Sequence, residues 1–266
     1  MIKEPQRLFD LIDRREAMFP NRAVFCNKIN GEWVKHPVNE YREKATYISY
    51  AMMHLGVERG ENVALISSGR PEWNYVDMGV QMMGGVLVPI YPTISPSEYE
   101  YILNHSGVRY IIVETESLYK KISSIRENLS TLQQVYTIAP VEGVPSIEEL
   151  YKMGKEHPQP EKLEEIKASI TTDDVATMIY TSGTTGTPKG VMLAHRGLLM
   201  NVLGIKDSPG KDWGRALSWM PLCHVYERMM NYLYQYFGME IYYAENVGKV
   251  AENAQETNPY IMAAVP

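Results

Sequence analysis

The stretch DVATMIYTSGTTGTPKGVMLA, residues 174–194, sets an apolar run on either side of a turn built from small polar residues. The flanks, 174–180 and 190–194, have the length and composition of apolar strands. A strand that ends in a Gly-rich turn can aim several backbone N–H groups at one anion, because glycine allows close approach and positive φ. Hydroxyls of Thr181, Ser182, Thr184, Thr185 and Thr187 add donors without bulk, and Lys189 adds a compact positive charge. Gly183 and Gly186 supply backbone freedom, while Pro188 limits the conformations of the loop end. The expected ligand is a polyphosphate. Lys189 is followed by Gly190 rather than Ser or Thr, so the spacing departs from the P-loop of ordinary NTPases, and it is not G-x-G-x-x-G either. A flexible polar linker is the competing reading; the apolar flanks and the single Lys weigh against it.

Outward from the loop, short apolar runs alternate with helical patterns. Leu8, Leu11, Ile12 and Phe19 predict a first helix ending near Pro20. AVFCNKINGEWVKH, 23–36, reads as a hairpin around Asn30-Gly31. Asn39 is the expected cap of a helix whose apolar face is Tyr41, Ala45, Ile48, Met52 and Leu55, stopped by Gly56. Strands are expected at 62–67, 84–91, 108–114, 134–139, 215–220, MEIYYA (239–244) and YIMAAVP (260–266). Helices are expected at 72–83, around Pro96, and at 116–128, 196–206, from about 223, and at 247–257. This alternation marks an α/β fold with parallel sheets covered by helices. Residues 152–169, polar and proline-broken, read as a surface excursion, and GVMLA (190–194) as the apolar strand that leaves the loop.

Composition narrows the function. Net charge is −6 with no Lys/Arg-rich block, so a nucleic-acid partner is not expected. Cys26 and Cys223 lie far apart with no metal-ligand spacing, which suits a reducing cytoplasm. The first residues lack the apolar core of a signal peptide, and no window reaches bilayer length. A cytoplasmic chain is expected. The sequence stops on an apolar strand-like run, which would leave an open sheet edge and suggests a fragment.

YTSGTTGTPKGVMLAH (180–195) closely resembles the phosphate-binding signature of the adenylate-forming (AMP-binding) superfamily, which includes acyl-CoA synthetases, luciferases and peptide-synthetase adenylation domains. The resemblance extends over RPEWNYVDMGVQMMGGVLVPIYPTISPSEYEYILNHSGVRYIIVE (70–114) and MPLCHVYERM (220–229). His224 followed by Glu227-Arg228 resembles the long-chain fatty acyl-CoA synthetases most. The implied fold is a luciferase-like large N-terminal domain, truncated, with stacked parallel-type sheets flanked by helices. Residues 58–206 would form one sheet lobe; residues 1–57 and 207–266 would belong to the other.

The resemblance implies a two-step ligase using ATP, Mg2+ and coenzyme A on a long-chain fatty acid. Residues Thr181 to Thr187 and Lys189 would hold the β- and γ-phosphates, Thr181 would face Mg2+, and His224 would be catalytic at the junction of acyl pocket and nucleotide. A backbone-satisfied histidine at a helix start is the plainer reading of His224. Glu227 and Arg228 read as an ion pair on their helix. Because other branches carry a gating aromatic near here, Arg228 leaves the residue that gates the acyl pocket unassigned.

The Met/Tyr-rich run 226–243 reads as core at most positions, with an acyl-tunnel wall as the alternative. Ala194 replaces a family Thr before His195, at the expense of a local cap. His36, His54, His105 and His157 are assigned to structure or surface. Peripheral membrane contact is left open by a lipid-like substrate, although no basic amphipathic stretch supports it.

The family pattern continues past Pro266 into adenine- and ribose-binding segments and a small C-terminal domain with its own lysine, for which Lys189 does not substitute. Little or no ligase activity is therefore expected of the chain alone. An aryl, medium-chain or amino-acid substrate stays open at this stage, as does a non-catalytic nucleotide-binding module.

Overall fold

The computed structural model of the chain describes residues 4–181, 187–206 and 213–265. Two sheets carry the eleven strands of that part. The first combines β1 (Ala23–Ile29) and β2 (Glu32–Pro37) with late strands of the chain; the second begins with β3 (Asn62–Ile66), β4 (Val86–Ile90), β5 (Tyr110–Val113) and β6 (Gln134–Thr137). It is completed by β7 (Val175–Thr181) and β8 (Lys189–Ala194), in the order β6-β5-β3-β4-β7-β8. The late strands β9 (Arg215–Ser218), β10 (Glu240–Tyr243) and β11 (Ile261–Met262) give the first sheet its order, β11-β9-β10-β1-β2.

Both sheets are parallel except at one edge pair each, β1/β2 and β7/β8. GVMLA is a strand, as expected, although its side chains are half-buried or exposed. It folds back as β8, antiparallel to β7, because a short loop cannot make the crossover that a parallel partner needs. At the other antiparallel edge, Asn30 (φ 51°) and Gly31 (φ 84°) form the expected two-residue turn.

Ten α-helices connect the described strands: α1 (Asp10–Met18), α2 (Val38–His54), α3 (Pro71–Met82), α4 (Pro96–Ser106), α5 (Glu116–Ser123), α6 (Ile147–Glu156), α7 (Pro160–Ser169), α8 (His195–Leu203), α9 (Val225–Tyr236) and α10 (Val250–Thr257). The segment 152–169 is not an excursion. It forms the end of α6 and all of α7, with Leu163 buried, and Gly154 lets α6 sit on α2: a Cβ there would lie 2.1 Å from the Tyr47 carbonyl oxygen. Asn39 is not the cap of α2, which starts at Val38 behind Pro37 with no side-chain cap. The 116–128 pattern divides into α5 and a separate 3-10 turn at 126–128. By contrast, Ser95 and Glu98 form a reciprocal capping box before α4.

α2 packs on β1 and β2, and α3 touches β1 as well as β3 and β4, so this helix pair fills the space between the sheets. Gly79 permits the close crossing, since a Cβ would lie 2.6 Å from the Ala45 oxygen. One apolar core consequently runs from β1 and β10 through α2 and α3 to β3 and β4. No helix among the described residues is long and apolar enough to cross a membrane. The carboxyl ends of parallel strands, where α/β folds place ligands, include Ile90 and Thr181 of the second sheet.

Candidate active site

Thr181 is the last residue of β7 and Lys189 the first of β8, and they are direct partners in the antiparallel register. The pairing closes the base of the polar loop and leaves both side chains exposed. Thr187 is exposed beside them, whereas Ser182, Gly183, Thr184, Thr185 and Gly186 lie outside the described residues. Lys189 is exposed and forms no ion pair among the described residues. Gly190 has a local reason: a Cβ there would meet Met178 Sδ at 2.8 Å and Tyr180 Cζ at 3.2 Å. The Tyr180 ring thus lies across β8. Its hydroxyl is 2.6 Å from His105 Nδ1 on α4, a contact that gives His105 a place beside the loop which spacing alone did not show.

A cleft of about 340 Å³ opens next to this hairpin. Its walls come from the end of β4 and the turn after it (Ile90, Tyr91, Ile94), from Tyr180 and Thr181, and from Cys223 and His224 ahead of α9. The structure therefore brings Thr181 and His224 to one cavity. Burial pushes the Cys223 thiol up to about 12, which leaves it an inert apolar wall rather than a nucleophile.

His224 has extended backbone (φ −85°, ψ 131°) and its Nδ1 accepts from the Tyr226 N–H at 3.3 Å, capping α9. With Nδ1 accepting, the ring N–H donor lies on Nε2. Nε2 has no partner among the described residues and the side chain is exposed. The cap and a free N–H donor thus coexist in one ring.

Glu227 and Arg228 do not pair with each other. Helical geometry turns consecutive residues about 100° apart, and here it sends them to different interiors. Arg228 pairs with Asp77 of α3 at 2.5 Å, both side chains fully buried, so it is not a residue of the cleft. Glu227 Oε1 accepts from Ser218 Oγ at 2.5 Å, while Oε2 is buried without a partner. Burial raises the Glu227 carboxyl to about 7, against a smaller opposing effect of the Ser218 bond.

The Met/Tyr-rich run is core at most positions. Tyr232, Tyr234, Tyr242 and Tyr243 are buried, and the Tyr243 hydroxyl accepts from Asn74 and Asn231, each at 2.7 Å. His195 is buried as well. Its Nδ1 accepts from the Leu8 N–H at 3.2 Å, and burial lowers its pKa to about 4. Ala194 precedes α8 without a side-chain cap.

Among the described residues no group of three or more His, Cys, Asp or Glu side chains could hold a metal ion. The donors near the loop are hydroxyls and an ammonium, a set suited to phosphate. A hard divalent cation fits here when phosphate oxygens bring most of its ligands and Thr181 adds one hydroxyl.

A family model described as AMP-binding enzyme matches residues 12–266. The chain belongs to that family. Among similar curated AMP-binding proteins, the peroxisomal long chain acyl-CoA synthetase 6 of Arabidopsis thaliana is 33% identical over 96% of the chain and 37% of its own length. The long-chain-fatty-acid–CoA ligase FadD15 of Mycobacterium bovis is 25% identical over 100% of the chain and 44% of its length. The chain thus spans about two fifths of the length of these relatives. Among solved AMP-binding folds, the N-terminal domain of FACL13 from Mycobacterium tuberculosis superposes with TM-score 0.81 at 20% identity, covering 98% of this chain and 63% of that one. FadD1 of Archaeoglobus fulgidus, a long-chain-fatty-acid-CoA ligase, gives 0.81 at 24% identity, covering 97% and 51%. These superpositions establish the large N-terminal domain fold of the AMP-binding chain.

Proposed function

We propose that this chain is the phosphate-gripping part of a long-chain fatty acid–CoA ligase. The observation that carries the reading is the cleft lined by both Thr181 and His224, with Lys189 paired to Thr181 at the base of the loop and the His224 Nε2 without a partner among the described residues. Long-chain acyl-CoA synthetases among the relatives support the choice of acid.

A carboxylate oxygen of the fatty acid attacks the α-phosphorus of ATP, the bond to the bridging oxygen breaks, and pyrophosphate leaves with the electron pair. The thiol sulfur of coenzyme A then attacks the acyl carbon, AMP departs, and the thiol proton passes to solvent. Lys189, with the hydroxyls and N–H groups of the loop 181–187, holds the β- and γ-phosphates and spreads the charge of the leaving group. His224 donates from Nε2 to a carboxylate or adenylate oxygen, orienting the acid for attack. Mg2+, when bound beside the phosphates, would add Lewis-acid charge neutralisation, with Thr181 as its protein ligand.

The reading is tested by acid-dependent ATP–pyrophosphate exchange in the protein of the complete reading frame, comparing hexadecanoate with benzoate and amino acids. Exchange driven by hexadecanoate supports it. Exchange driven only by another acid would replace the substrate, and no exchange with any acid would leave a nucleotide-binding module.

A further inference from the structure

We infer that Arg228 is a positioning residue for acid activation, one guanidinium that ties together the three walls of the cleft. The inference rests on the adenylation reading above. Its geometry is local and complete. Through its backbone, Arg228 N–H donates to the His224 carbonyl at 3.1 Å, so the first turn of α9 fixes His224 relative to Arg228. Through its side chain, Nη1 donates to Thr177 Oγ1 at 2.5 Å. Thr177 lies on β7, four residues ahead of Thr181, and its hydroxyl in turn donates to the Leu87 carbonyl of β4 at 2.6 Å. β4 runs from Leu87 directly into Ile90 and Tyr91 of the cleft. A short bonded path therefore links the histidine, the strand that carries the phosphate loop, and the β4 wall.

The remaining arms hold the guanidinium still. Nη2 meets Asp77 Oδ1, and Nε donates to the Tyr232 hydroxyl at 2.7 Å, which donates to Asp77 Oδ2 at 2.6 Å. Gln81 Nε2 occupies Asp77 Oδ1 from a further side at 2.6 Å. Three arms of a planar fork bonded to three different elements leave little room for rotation. Stability alone is a weak reason for such an arrangement, since a fully buried ion pair is often matched by well-packed apolar side chains. Fixed spacing is what the fork supplies and an apolar pair would not. Displacement of reacting groups by about 1 Å can reduce a rate on the order of 100-fold.

The test uses Thr177→Val, which removes the bridging hydroxyl at nearly constant volume, Thr177→Ser, which keeps it, and Arg228→Lys, which keeps the charge on Asp77 but loses the fork. Ile122→Val on α5, away from the cleft, serves as a control for general loosening of the core. In hexadecanoate-dependent exchange, Thr177→Val and Arg228→Lys should each lower the maximal rate by roughly 10-fold or more, with the KM for ATP changed less than about threefold. Thr177→Ser and Ile122→Val should stay near the parent rate. In parallel, hydrogen exchange should speed up in peptides covering 178–181 and 222–226 of Thr177→Val and not of Thr177→Ser.

Equal rates and equal exchange protection in a folded Thr177→Val or Arg228→Lys protein would overturn the inference while leaving the adenylation reading intact. If Thr177→Val fails to fold, Arg228→Lys carries the test, and if both fail, a Thr177→Ser rate as low as that of a tenfold-impaired protein would overturn it. Absence of exchange in the parent with any acid would instead sink the adenylation reading. The hydrogen-exchange comparison would then decide separately whether the link positions the walls.

Discussion

Thr181 and Lys189 are paired residues on adjacent antiparallel strands, so the loop they bracket leaves and re-enters one rigid hairpin. The hairpin fixes the two ends of a Gly/Ser/Thr-rich segment at strand spacing and leaves the Lys189 ammonium exposed there. Lys189→Ala should therefore weaken ATP binding roughly 10- to 100-fold, the value of one charge-assisted contact, with little effect on folding because the side chain is exposed. Calorimetric titration with ATP checks this. Unchanged affinity would remove Lys189 from the phosphate site.

Gly190→Ala tests the other strand of the hairpin. The added methyl group would press on Met178 and Tyr180, forcing Tyr180 away from β8 and from His105. Overpacking of this kind costs about 1–3 kcal/mol, and here it should also reduce nucleotide affinity, because Tyr180 adjoins Thr181. A stability loss without any change in ATP affinity would separate the strand packing from the site.

For His224, the cap and the free donor predict different losses. Removal of an N-cap side chain costs about 0.5–2 kcal/mol of stability, and removal of a hydrogen bond to developing charge costs about 100-fold in rate. His224→Asn retains a capping side chain and should unfold within about 1 kcal/mol of the parent. Its exchange rate should nevertheless fall on the order of 100-fold. Parent-like exchange in that variant would reduce His224 to its cap.

Two buried groups should give opposite pH dependences. The Glu227 carboxyl is raised from 4.5 to about 7, so the folded state binds its proton more tightly than the unfolded state. Its stabilising contribution is full below pH 4.5 and is lost as pH rises through 7, a loss of about 3 kcal/mol. His195 is depressed from 6.5 to about 4, and its contribution is full above pH 6.5 and is lost as pH falls through 4. Where the windows overlap, the two changes offset each other in the parent. Glu227→Gln should match the parent near pH 4.5 and exceed its stability by about 3 kcal/mol at pH 8. Urea unfolding at the two pH values measures the difference, and a constant offset would show that Glu227 is ionised in the fold.

The sequence made the fold legible where local chemistry decides it. Asn30-Gly31 forces a two-residue turn, Ser95 with Glu98 builds a capping box, and the apolar runs at 62–67 and 108–114 have no stable place outside a covered sheet. It was less legible where one element depends on another. α6 and α7 carry few apolar residues around a Pro-Gln-Pro break, and α6 is stabilised by Gly154 meeting Tyr47 on α2, a match between distant segments. Asn39 had the chemistry of a cap, yet Val38 is needed in the core and the helix starts two residues earlier than such a cap implies. Among the site residues, the loop declared itself by composition. The true partner of Arg228, however, lies 151 residues away on another helix, where no spacing rule reaches it, while its neighbour Glu227 offered an obvious but wrong pairing.

On the proposed reading, the loop grips the pyrophosphate that leaves during fatty acid activation. ATP–pyrophosphate exchange by the protein of the complete reading frame, with hexadecanoate present and absent, reads that event itself. Exchange should require hexadecanoate, exceed that with benzoate or amino acids, and fall sharply in Lys189→Ala. Exchange independent of any acid, or none with any acid while ATP still binds, would contradict the reading.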